Sequence, residues 1–175
     1  MNTNRYTPAI ITEKDYTFSI PLYQRLFAWG EEQVNGLLYD LKNHFEKEGE
    51  VPYYLGMLSC IENEGRYDLI DGQQRFTLMM LLGITFQKEG NGWDKFLAGG
   101  NRLTFKARSK DTEYIKSLIH KSSFVAEKNE KMSCGIQAIR NFMEKEFKDD
   151  TARETFAQRV YNNLSFFFSE LPKEY

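Results

Sequence analysis

The chain has 175 residues, with 23 basic and 25 acidic side chains, a formal net charge of −2, 41% apolar and 27% charged residues. That length predicts one domain, able to bury roughly 70% of its unfolded surface and so to hold a core of its own. The composition excludes a disordered or collagen-like chain; no apolar run approaches ~18 residues, and Met1 to Ile10 lack the apolar stretch of a signal peptide. The chain reads as a cytoplasmic-type protein without a membrane partner.

Tyr16 to Tyr23 alternates Phe18, Ile20 and Leu22 with Thr17, Ser19 and Pro21, the period of a strand, and Pro21 marks an edge or an end. Glu31 to Phe45 sets Val34, Leu37, Leu38, Leu41 and Phe45 on one helical face, with acids in the first turn and Gly49 and Pro52 beyond it. Tyr53 to Ile61 is apolar on both parities, as for a strand buried on two faces, and Gly56 within it signals the close approach of another backbone or a ligand. Asn63-Glu64-Gly65 is a turn, and Tyr67 to Ile70 a returning strand. From Asp71-Gly72 the period changes to a helix over residues 73–88 that is apolar almost all round, hence central.

Gly90 to Gly100 reads as a Gly- and Asn-rich connection and the best candidate for an internal boundary. Beyond it a short strand is expected at Leu103 to Ala107, helices at Thr112 to His120, Ile136 to Phe147 and Arg153 to Tyr161, and a final strand at Leu164 to Phe168. So apolar a last strand needs partners on both faces although little chain follows it, which suggests a piece of something longer. The fold class predicted is α+β: a small mixed sheet with packed helices in residues 1–90, followed by a mainly helical continuation in residues 91–175.

Cys60 and Cys134 are expected to be reduced, buried thiols. With His44 and His120 as the sole histidines, a Cys/His zinc site or a Ser-His or Cys-His nucleophile has no support. Trp29 is expected to anchor the core, and His120 to be a helix C-terminal cation. Charge is uneven along the chain: residues 1–90 hold eight Lys/Arg against thirteen Asp/Glu, and residues 91–175 fifteen against twelve. The stretch Arg102 to Lys131, with eight basic and four acidic residues, either meets nucleic-acid phosphates or is a solvated face.

Two polar clusters stand where the strand period ends. One is Ile20-Pro21-Leu22-Tyr23-Gln24-Arg25, followed by Phe27-Ala28-Trp29; the other is Asp71-Gly72-Gln73-Gln74-Arg75. A strand, a tight glycine turn and a helix start together form an anion site, because first-turn N–H groups and the positive helix end face one spot. Arg75 adds a bidentate phosphate donor, and Gln73 and Gln74 add neutral donors and acceptors. The alternative is structural: Asp71 caps the helix, Gly72 turns, and Arg75 pairs with a carboxylate of the helix at residues 31–48. An Asp71 that caps would compete with phosphate for the same amides; with a nucleotide bound it would instead hold a metal ion or a ribose hydroxyl. Neither the Walker A pattern nor the three-glycine dinucleotide fingerprint is present.

The segments Ile20-Pro-Leu-Tyr-Gln-Arg-Leu-Phe-Ala-Trp29, Tyr54-Leu55-Gly56 and Tyr67-Asp-Leu-Ile-Asp-Gly-Gln-Gln-Arg-Phe-Thr-Leu78 together resemble the N-terminal domain of GmrSD-type restriction endonucleases, a family similar in fold to ParB and sulfiredoxin. The likeness covers residues 10–90 strongly and Arg102 to Ile119 more loosely. It implies a nucleotide-binding, often NTP-hydrolysing module of a modification-dependent restriction or phage-defence system. Carried over, Gly72, Gln73, Gln74 and Arg75 contact phosphate, Asp71 holds Mg²⁺, and Gln24 and Arg25 face the same cleft; Asp71, Gln73, Gln74 and Arg75 would be the catalytic set. The implied partners are a nucleoside triphosphate with Mg²⁺, DNA that carries a modification, and an HNH nuclease domain or subunit, with homo-oligomerisation left open. The family's later Asn-x-Arg-Gly segment and an HNH signature are not found here, so no DNA cleavage is expected from these residues. A non-catalytic DNA-binding module and a scaffold for a nuclease partner stand as the alternatives.

Overall fold

The computed structural model of the protein describes residues 4–21, 27–122 and 127–174. Six strands form one mixed sheet: β1 (Arg5–Tyr6), β2 (Phe18–Ile20), β3 (Tyr53–Asn63), β4 (Arg66–Asp71), β5 (Leu103–Phe105) and β6 (Leu164–Glu170), in the order β1-β6-β3-β4-β2-β5. β4, β2 and β5 run parallel to one another; β3 is antiparallel to β4 and parallel to β6, and β1 is antiparallel to β6. Seven helices are found among the described residues: α1 (Pro8–Lys14), α2 (Glu31–Glu48), α3 (Gln73–Phe86), α4 (Trp93–Leu97), α5 (Ser109–Ile119), α6 (Glu130–Glu146) and α7 (Asp150–Asn163). The α+β class expected from the sequence is the observed one.

β2 is buried at every position, but β3 and the later part of β6 cover one face more than the other. In β3, Leu58 and Cys60 are buried while Met57 and Tyr54 are exposed, and in β6, Leu164, Phe166 and Phe168 are buried while Phe167 is only half-covered. The apolar run at Tyr53 to Ile61 thus belongs to a sheet with a much barer second side, unlike the doubly buried strand its composition suggests. The lateral partners of β6 come from this chain, β1 on one edge and β3 on the other. Because β6 sits inside the sheet, residues on both sides of Gly90 to Gly100 share one core.

That glycine-rich stretch is itself part of the core. Trp93, Phe96 and Leu97, spaced i, i+3, i+4, are fully buried in α4, and the Trp93 indole N–H donates to Ala157 O at 3.0 Å. The N-terminal β1 and α1 also lie outside the sequence expectation, although Thr7-Pro8 is a helix-start signal: the Ile10 N–H donates to Thr7 Oγ1 at 3.2 Å and Pro8 occupies the first turn. α6 and α7 begin earlier than their apolar stripes do, at the caps Asn129 and Asp149, whose side chains accept from the Met132 and Ala152 N–H groups.

α2 buries the five residues of its stripe, and α3 is buried along almost its whole length, from Phe76 to Ile84, packed against α4 and α6. Trp29 packs against this core, as expected. Of the two free cysteines, Cys60 is buried, and burial pushes its thiol up; Cys134 is exposed, contrary to expectation, because it lies on the outer side of α6.

One buried cation ties the distant segments together. Arg102 is 1% exposed. Its Nε donates to Phe96 O at 2.6 Å, its Nη2 to Lys95 O at 3.2 Å, and its Nη1 to Tyr16 O and to Asp15 Oδ1 at 3.1 Å. α4, β5 and the α1–β2 connection therefore meet at one guanidinium. Replacing Arg102 by Met would take a charged donor from three carbonyls, and such bonds are worth ~1.5–3 kcal/mol each. Urea unfolding of Arg102→Met should show a loss of about 3 kcal/mol or more; a loss below ~1 kcal/mol would refute the staple.

Candidate functional site

The parallel trio β4, β2 and β5 points its carboxyl ends to one side of the molecule, so Asp71, Ile20 and Phe105 end near one another. In open sheets with parallel strands this is the side on which ligands bind. β4 leads there directly into α3 through Gly72, which has φ +95°. A Cβ on Gly72 would come within 2.7 Å of both Leu58 Cδ2 and Met57 O. The missing side chain is therefore demanded by packing against β3, and the first turn of α3 is pressed onto that strand.

Asp71 is exposed and lies one position before the cap. Its Oδ1 accepts the Gly72 N–H at 2.9 Å, and no side chain at the cap position bonds the first-turn amides of α3. The expected rivalry between Asp71 and a ligand for those amides is thus confined to one N–H. The Gln73 amide donates from Nε2 to Leu69 O at 3.1 Å and Ile70 O at 2.8 Å, which holds it against the end of β4. Gln74 Oε1 accepts the Ala28 N–H at 2.7 Å. Gln24 and Arg25 lie outside the described residues, but both flanks of their segment are placed: Pro21 follows the carboxyl end of β2, and Ala28 is bonded to the first turn of α3.

Arg75 makes no ion pair with any described residue, so the structural alternative of a carboxylate on α2 is not what holds it. Its Nη2 donates to Met57 O at 3.1 Å, while Nε is buried without an acceptor. A buried donor left unpaired costs ~1–3 kcal/mol and calls for an explanation. Among the described residues no group of three His, Cys, Asp or Glu side chains could hold a metal ion, and no helix is long and apolar enough to cross a membrane.

The basic stretch Arg102 to Lys131 is largely neutralised. Arg102 is inside the core. Lys106 pairs with Asp68 at 2.8 Å, Arg108 with Asp111 at 2.8 Å, Lys110 with Glu127 at 3.1 Å, and Lys116 and Lys128 with Glu113 and Glu130 at 3.9 Å. Asp111 is buried and also accepts from Asn129 Nδ2 at 3.0 Å, and Tyr114 is buried, so this more loosely matching stretch builds the scaffold. His120 caps the end of α5, its Nε2 3.2 Å from Gly99 O.

With this geometry in place, comparison with known families gives a match to "GmrSD restriction endonuclease, N-terminal domain" over residues 9–174. The chain belongs to that family. Among curated proteins no sequence matches it. The match runs through α4 to α7 and takes in β2 to β6, well beyond the strongly resembling residues 10–90. In this GmrSD domain two features of the junction escape the motifs themselves: the Met57 carbonyl that receives Arg75, and the Ala28 amide that receives Gln74. Only Gly56, as a glycine inside a strand, points toward the first.

Gly72→Ala should destabilise this GmrSD domain by about 2–4 kcal/mol, combining strain at positive φ with the clash against β3. Chemical denaturation checks this, and a near-neutral result would mean that the start of α3 is not pressed onto β3.

Proposed function

We propose that this domain binds a nucleoside triphosphate with Mg²⁺ at the β4–α3 junction and hydrolyses it, as the nucleotide module of a modification-dependent restriction or phage-defence system. The observation that carries the reading is Arg75: a cation at the start of a helix, with no carboxylate partner among the described residues and with a buried Nε lacking an acceptor. An oxyanion is the missing complement of such a group. The carboxyl ends of three parallel strands and the start of α3 support the same location. Phosphate placement at this junction is also what likeness to ParB and sulfiredoxin implies.

In this mechanism Arg75 neutralises phosphate charge through its terminal nitrogens, and the first turn of α3 orients the chain of phosphates. Gln73, fixed by two bonds to β4 carbonyls, has the restraint needed in a group that positions water, and Gln74 shares that role. Gln24 and Arg25 contribute from the segment between Pro21 and Ala28. Asp71 offers one exposed carboxylate. That suits Mg²⁺, which is commonly held by one or two carboxylates plus substrate phosphates and waters, and which would supply further charge neutralisation for phosphoryl transfer. DNA cleavage, in this proposal, belongs to an HNH nuclease domain or subunit.

The alternatives, a non-catalytic DNA-binding or scaffold module for that nuclease, draw less support because most of the basic stretch is ion-paired or buried. A calorimetric titration decides: Arg75→Ala should weaken triphosphate binding by about 1.5–3 kcal/mol with the melting temperature retained, the range of charge-assisted hydrogen bonds. Unchanged binding removes Arg75 from the site. A thermal-shift series of the four ribonucleoside triphosphates, with Mg²⁺ and with a chelator, should show stabilisation that Asp71→Asn reduces only when Mg²⁺ is present. Steeply salt-dependent DNA binding with no response to any triphosphate would instead establish the DNA-binding alternative.

A further inference from the structure

Gly56 lies in β3 just after an extra residue, Leu55, shifts the register with β6: Tyr54 faces Ser165, whereas Gly56 faces Phe166. Its φ is +147°, and a Cβ there would come within 2.8 Å of Arg75 Nε, 2.9 Å of Cζ and 3.3 Å of Cδ. The Arg75 side chain therefore occupies the very space a residue other than glycine would fill. One residue further, Met57 O accepts from Nη2 at 3.1 Å. The bulge and the missing side chain together form a seat, and the seat holds a side chain of four torsions that would otherwise spread over many rotamers.

We propose that Gly56 is a positioning residue of the oxyanion site: the bulged β3 backbone seats the Arg75 guanidinium so that it meets phosphate oxygens at the start of α3. This rests on the nucleotide reading above and adds to it a determinant on a different strand, fifteen residues before the motif begins at Asp71. It also accounts for the burial of Nε. The seat covers that nitrogen on the β3 side without supplying an acceptor, and leaves the terminal nitrogens to meet the phosphate oxygens.

The test is a double-mutant cycle with Gly56→Ala and Arg75→Ala in the full chain, read in two ways. Without ligand, thermal denaturation should show that Gly56→Ala lowers the melting temperature clearly in the wild-type background and less when Arg75 is also truncated. Backbone strain at φ +147° is common to both backgrounds and cancels; the clash with Arg75 does not. With ATP or GTP as the titrant, Gly56→Ala should weaken binding by about 10- to 150-fold, close to the effect of Arg75→Ala, and the double variant should lose little more. Additive effects on both melting temperature and affinity would overturn the seat. If the wild-type chain binds no triphosphate, the nucleotide reading falls, and the ligand-free cycle still decides whether Gly56 positions Arg75.

Discussion

Helix α3 has no polar face, and the rest of the molecule is arranged around that fact. A helix buried from Phe76 to Ile84 can exist in water only when wrapped on all sides, here by one face of the sheet and by α4 and α6. Wrapping it forces the chain to bring distant pieces together: α4 from the glycine-rich connection and α6 from the second half. The start of α3 is pinned as a consequence. Gly72 must be glycine because β3 leaves no space for a side chain, so Asp71, Gln73, Gln74 and Arg75 are delivered to one side of the sheet with little freedom.

The electrostatics divide the arginines into two kinds. Arg102 is buried, and main-chain carbonyls and Asp15 satisfy its donors, which makes it a structural staple. Arg66 is half-buried and similarly engaged: its donors reach Ser19 Oγ, Phe18 O, Thr104 Oγ1 and both oxygens of Asn101, and burial lowers its pKa. Arg75 differs, with one carbonyl, one unpaired buried nitrogen and no carboxylate among the described residues. The proposed oxyanion site rests on that guanidinium, held in a defined place but left chemically incomplete. The same comparison gives Arg102 to Lys131 less weight as a phosphate-binding face, since Arg102 is buried and five of its other cations already stand beside a carboxylate.

Much of the architecture was legible along the chain. The stripe Val34, Leu37, Leu38, Leu41, Phe45 and the period change at Asp71-Gly72 placed α2 and α3 within a few residues of their observed bounds, since both rest on local periodicity. What escaped has a common cause. α4 was hidden because glycines flank a segment of only five residues, and its burial depends on partners more than sixty residues away, such as Ala157. The open second face of β3 was hidden because apolar composition on both parities does not reveal whether a second layer exists to cover it. Cys134 was misplaced because a thiol on a helix follows the face it lands on. Gln24 and Arg25 lie outside the described residues, and only the anchoring of their flanks bears on them.

The sequence by itself determined the elements with strong periodicity, the α+β class, the family and the identity of the polar cluster at residues 71–75, because each is written in neighbouring residues. Tertiary structure alone decided that Arg75 rests against Gly56 and Met57, that Arg102 is a staple, and that β6 joins β3 to β1. Those outcomes depend on which distant backbone comes to lie beside a side chain, and local spacing carries no record of that.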